Sequence, residues 1–142
     1  AARLFSKLFL KDRLGLYYRR YHDQVRDALR EFDESGRDKL FHGATAAIVI
    51  ATRPGASCPR EDALLAAQNI ALAAHAMGIG TCLIGFAVEA MRRDPSIQRA
   101  LGVPADEAVH AVIALGKPAV TYLRPAGRKP VPIRFADLAG SP

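Results

Sequence analysis

The side chains of this chain that could be reactive are scattered. His22, His42, His75 and His110 lie far apart. None stands in the H-E-x-x-H spacing that sets two imidazoles around zinc on one helical face. Each reads as structural or exposed. Cys58 and Cys82 show no C-x-x-C spacing and cannot build a metal cage alone. Cys58 precedes Pro59 in a loop, whereas Cys82 reads as a small buried hydrophobe within a strand. Ser57, in G-A-S-C-P, lacks the second glycine of a nucleophile elbow. Gly78, Gly80 and Gly85 make G-x-G-x-x-x-x-G, which misses the dinucleotide fingerprint and follows a helical pattern instead of a strand. No G-x-x-x-x-G-K-[ST] loop occurs. No catalytic side chain and no metal site is assigned, so any reaction must be carried by a bound cofactor.

The elements that would position these residues follow from periodicity. Leu14, Tyr18, Tyr21, Val25, Leu29 and Phe32 recur at steps of three and four, an amphipathic helix ending near Ser35 and Gly36. A shorter apolar and basic segment, Leu4–Leu10, precedes it and also reads as helical. Ala44–Ala51 is short, apolar and bounded by Gly43 and Pro54, which predicts a buried strand. A helix over Asp62–Met77 begins with acids at its positive end and stops at Gly78. Thr81–Gly85 reads as a second strand and Ala87–Arg92 as a helix. Asp94-Pro95 is a cap followed by a first-turn proline, opening a helix that ends at Gly102. Ala108–Leu115 is a third strand. The proline-bearing tail beyond it should be extended, over the surface or over a neighbour.

The chain has 142 residues, half of them apolar and 24% charged. That suits one soluble domain and excludes a disordered acidic tail, a collagen or a disulfide mini-protein. The most apolar run, Ala63–Met77, is broken by Gln68, Asn69 and His75 and is too short for the ~20 residues of a membrane span. The first residues place basic side chains inside the apolar run, unlike a secretory signal. Sparse, unpaired cysteines fit a reducing, cytoplasmic setting. The net charge is +6 but uneven. Residues 1–37 mix nine basic with six acidic side chains, whereas Lys117, Arg124, Arg128, Lys129 and Arg134 stand in a stretch without any acid. That stretch should meet an anion or stay solvated. Its single aromatic, Tyr122, and the lack of a recognised pattern argue against nucleic acid.

One stretch is more particular than a buried helix, a turn and a strand. It reads E-D-A-L-L-A-A-Q-N-I-A-L-A-A-H-A-M-G-I-G-T-C-L-I-G-F. Through Asp62, Ala67, Gln68, Asn69, Leu72, Ala73, Ala74, Gly78, Ile79, Gly80, Thr81, Cys82, Ile84 and Gly85 it resembles the FMN-dependent nitroreductase family. L-F-H-G-A before it, and P-S-I-Q-R-A-L-G-V-P, A-V-I-A-L-G-K-P and G-R-K-P after it, resemble further family segments in the same order. Together they cover roughly Phe41–Pro130, about two-thirds of the chain.

The resemblance implies an α+β fold, a mixed sheet flanked by helices, that works as an intertwined homodimer with FMN in a cleft between subunits. It implies hydride transfer from NAD(P)H to the flavin and then to a nitroaromatic, a quinone or a related acceptor. Cys82, Leu83, Ile84 and Gly85 would lie against the flavin ring, with the Gly85 N–H at its edge. Arg128 and Lys129 would meet the FMN phosphate. The family's R-R-S-x-R-x-F segment, which grips the phosphate and ribityl chain, and its S-x-x-N-x-Q-P-W segment do not occur in these residues. Arg19–His22 is not that motif, because it lies in a periodic helix and lacks the serine. The chain therefore reads as a single domain like the C-terminal part of a nitroreductase, with an N-terminal helical segment 1–36 and a basic tail 117–142. A non-catalytic dimerising or ligand-binding module on the same scaffold is the second expectation.

Overall fold

The computed structural model describes residues 21–124 and 127–133. The expected segment Leu4–Leu10, the front of the first helical pattern and Arg134 lie outside them. The first described helix, α1 (His22–Ser35), ends as its sequence predicts. Gly36 takes φ 70° and donates its N–H to the Phe32 carbonyl at 2.7 Å, a left-handed cap that a side chain would strain. The chain then turns through an Asp38 carboxylate that accepts the amides of Leu40 (2.8 Å) and Phe41 (2.9 Å). Those two bonds hold the carboxyl below the usual carboxylate range, the Phe41 amide contributing most.

Three strands follow: β1 (Ala46–Thr52), β2 (Gly80–Leu83) and β3 (Ala108–Gly116). Their spatial order is β1-β3-β2, and every pairing among the described residues is antiparallel. Ala46 pairs with Leu115 and Gly80 with Gly116, so the last strand in sequence is the middle one in space. The register slips by one residue after Ile50, which leaves His110 of β3 as the extra residue of a bulge. At that bulge the His110 ring meets the Thr52 hydroxyl at 2.8 Å.

β3 is buried on both faces, which explains its unbroken apolar sequence. Ala111 and Ile113 pack with Ala67 of α2 (Pro59–Ala76), together with Ile50 and Ile70. Val112 and Ala114 face the other way, onto Ile84 and onto Met91 of α3 (Gly85–Arg93). The result is a helix, sheet and helix sandwich. α2 starts three residues before the expected Asp62, because Pro59 suits the first turn and leaves Glu61 and Asp62 inside it. It closes before Gly78, whose φ is 75°. β2 is shorter than expected: the chain leaves the sheet after Leu83, and Gly85 opens α3 instead of closing the strand.

α4 (Pro95–Ala100) begins at the expected cap, the Asp94 carboxylate accepting the Ser96 amide at 2.9 Å. Inside it sits Gln98, the one buried polar side chain among the described residues. Its Nε2 donates to the carbonyls of Pro104 (2.6 Å) and Glu107 (2.8 Å), clamping the loop that leads into β3. Gln98→Leu keeps the bulk but strands both carbonyls, which should cost about 1–3 kcal/mol. The urea midpoint should fall at unchanged slope, and an unaltered midpoint would show that water replaces the clamp.

The core is thin. Ten described residues are buried, five of them alanines. On α2 only Ala63, Ala67 and Ala74 are buried, while Leu65 and Leu72 on the opposite side are exposed. The described part of the tail, 117–124 and 127–133, belongs to no helix or strand.

Candidate functional site

The three glycines of the central motif occupy three different physical situations. Gly78 has the left-handed backbone that turns the chain out of α2. Gly80 stands where a Cβ would lie 3.3 Å from the Gly116 carbonyl oxygen and 3.4 Å from Pro118, a tight fit that the neighbouring backbone must yield to admit. Gly85 has neither reason. Its φ is not positive, and a Cβ there would meet nothing within 4 Å. The fold itself does not demand glycine at 85, and open space lies before it.

That space adjoins a corner made by the end of β2 and the start of α3. The Ile84 amide donates to the Val112 carbonyl at 2.8 Å, the last bond holding the corner to the sheet. No side chain caps α3. The amides of Gly85 and Phe86 therefore have no intrahelical acceptor and sit at the positive end of the helix. Cys82 is exposed, and its thiol is free. This corrects the expectation of a buried cysteine: among the described residues β2 is an edge strand, exposed from Thr81 to Leu83. Leu83 is 64% exposed, whereas Ile84 is 5% exposed and packed among Met91, Val112 and Ala114. Of the four expected ring neighbours, Cys82 and Leu83 are exposed and Gly85 fronts open space. Ile84 can offer it only backbone.

Phe86 completes the corner and escaped the sequence reading. It is half exposed and meets Tyr21 edge-on, ring centres 5.4 Å apart. An aromatic directly after the glycine was the available signal. One turn further into α3, Glu89 binds Arg92 (2.7 and 2.9 Å) and Arg93 (2.9 Å). The Arg92 guanidinium above all, with Arg93, holds its carboxyl down to about 2. The acid is thus ionised and neutralised locally at any ordinary pH, and adds little repulsion toward an anion at the helix start.

Arg128 and Lys129 are exposed and make no hydrogen bond or ion pair among the described residues. The structure does not join them to the Cys82–Gly85 corner. A wide-open depression of about 310 Å³ lies elsewhere, beside β1 and lined by Asp38, Phe41 and Ala44–Ala47. It holds no reactive group, because the Asp38 carboxylate is occupied by backbone amides. No group of three His, Cys, Asp or Glu side chains able to hold a metal occurs among the described residues. No described helix is long and apolar enough to cross a membrane.

Comparison with known proteins places the chain in a family and a fold. Residues 10–117 match the Nitroreductase family, and the chain belongs to it. The match stops short of the G-R-K-P segment. No curated protein matches the chain. Among solved structures, a nitroreductase with bound FMN from Bacteroides fragilis is similar at 24% identity and TM-score 0.59, over 81% of this chain and 67% of its own. One with bound FMN from Desulfitobacterium hafniense gives 25% and 0.56, over 89% and 62%. An FMN-dependent nitroreductase from Clostridium difficile gives 23% and 0.50, over 75% and 67%. The chain spans about two-thirds of the length of these structures. Its fold is the α+β nitroreductase fold in that part.

Proposed function

We propose that this chain is an FMN-dependent oxidoreductase of nitroreductase type, passing hydride from NAD(P)H to nitroaromatic, quinone or related acceptors. The observation that carries the reading is Gly85: a glycine without a structural reason, fronting open space, with an uncapped helix start behind it. A flat ring needs that approach, and a side chain would obstruct it. The bound flavin supplies the hydride chemistry, so no acid–base pair in the chain is required. The amides of Gly85 and Phe86 would donate to the polar edge of the ring. Exposed Leu83 and Phe86 would cover its apolar part and exclude water. Arg128 and Lys129 would hold the phosphate, Arg128 as a planar fork and Lys129 as a point charge.

The same reading includes a homodimer. α2 leaves Leu65 and Leu72 exposed on the face turned away from the sheet, and a second copy is the natural cover for an apolar helix. Two free thiols, Cys58 and Cys82, fit a cytoplasmic setting. The direct test is to load the purified chain with FMN and add NADH or NADPH without oxygen. Bleaching of the yellow absorbance, and its return on adding a quinone, is expected. FMN that binds but is never bleached would leave the scaffold as a ligand-binding module.

A further inference from the structure

α1 buries none of its residues, so no core contact fixes where it begins. Its start also lacks a side-chain cap. Tyr21, the residue before the first turn, serves the helix only through its carbonyl, which accepts the Val25 amide at 2.9 Å. The Tyr21 side chain goes elsewhere. Its ring stands edge-on to Phe86, centres 5.4 Å apart and planes at 83°. In that arrangement the positive edge of one ring meets the negative face of the other. The starts of α1 and α3, far apart in sequence, are thus joined by an aromatic contact.

Phe86 has need of such a contact. It is the second residue of α3, next to Gly85, and 45% exposed. The side chains that pack α3 onto the sheet are Ala87, Val88 and Met91, and Phe86 is not among them. A surface ring without a neighbour samples several rotamers, and a ligand that needs one of them must bear the cost of freezing it. Tyr21, itself half-buried, selects the rotamer in advance.

We propose that Tyr21 is a positioning residue for the flavin site: it holds Phe86 edge-on, so that the aromatic cover beside Gly85 is set before the ring arrives. Tyr21 acts on the flavin through Phe86 and by its ring, not by its hydroxyl. The link is reciprocal. A flavin that steadies Phe86 also steadies Tyr21, and with it the first turn of α1. This role rests on the flavin reading above and adds to it a residue 65 positions upstream of Phe86.

Dissociation constants for FMN and riboflavin test it, measured on the parent chain, Tyr21→Leu, Tyr21→Phe, Phe86→Leu and the Tyr21→Leu/Phe86→Leu double variant. Tyr21→Leu keeps apolar bulk but has no ring edge. It should weaken both flavins alike, by roughly two- to tenfold, because the cover acts on the ring and not on the phosphate. Tyr21→Phe should bind like the parent. In the Phe86→Leu background, Tyr21→Leu should add nothing. Hydrogen exchange supplies a second readout: FMN should slow the Val25 amide in the parent and in Tyr21→Phe, but not in Phe86→Leu. Full affinity in Tyr21→Leu, additive losses in the double variant, or a loss in Tyr21→Phe would overturn the positioning role while leaving the flavin site at Gly85. Should Tyr21→Leu fail to fold, a Val25 amide in the parent that ignores FMN would overturn it equally. A parent chain that takes up neither flavin would overturn the role and the flavin reading together.

Discussion

Replacing Gly85 by valine is expected to strip most of the flavin from the purified protein while its circular dichroism spectrum stays that of the parent. The two halves of the expectation have separate causes. The fold survives because the backbone at 85 is not left-handed and a Cβ there meets nothing within 4 Å. Helix propensity does not oppose the change, because valine is a better helix former than the glycine it replaces. Flavin is lost because the branched side chain occupies the space a planar ligand must enter. A tenfold or greater rise in the FMN dissociation constant, about 1.4 kcal/mol or more, is the expected scale. Gly80→Val serves as the contrast. There the new Cβ runs into the Gly116 carbonyl and Pro118, so stability should fall whatever happens to the flavin. Full flavin occupancy in Gly85→Val would move the ring away from this corner.

Arg128→Ala should weaken FMN binding more than Lys129→Ala, and Arg124→Ala should weaken it least. A guanidinium fork can bind two phosphate oxygens at once, which an ammonium cannot match. A charged hydrogen bond of this kind is worth about 1.5–3 kcal/mol, or roughly ten- to a hundredfold in affinity. Riboflavin separates this cause from a general loosening of the tail. It has no phosphate, so its affinity should ignore Arg128→Ala. Equal weakening for both ligands, or none for FMN, would leave Arg128 a solvated surface cation, as its lack of partners among the described residues already allows.

Local chemistry made much of the fold legible. The cap at Gly36, the Asp94-Pro95 start and the stop before Gly78 are decided within a few residues of chain, and each stands where the sequence puts it. The strands were visible as short apolar runs. Their order was not, because β3 lies between β1 and β2 through pairings that no local pattern encodes. That gap explains the misjudged cysteine. The four-residue β2 lies at the edge of the described sheet, and its residues from Thr81 to Leu83 are exposed, Cys82 among them. The site was half legible. Gly85 announced itself by spacing, but only the backbone shows that it alone of the three glycines has no internal reason. Ile84 looked like a ring neighbour because it sits beside Gly85. At the cap of α3 its side chain turns into the core, against Met91, Val112 and Ala114.

The middle position of β3 also sets the order in which the chain can become stable as it is synthesised. Ala46 must wait for Leu115, and Thr81 for Leu115 as well, so neither outer strand has a hydrogen-bonding partner until almost the whole described chain has been made. Until then β1 and the leucines of α2 stand open on the nascent polypeptide. Pairings this distant in sequence are slow to close, and exposed apolar strands are sticky while they wait. The completion of β3 is thus a single late event that closes both sides of the sheet at once. A ribosome that stalls before residue 108 releases a product that lacks the strand to which both β1 and β2 pair.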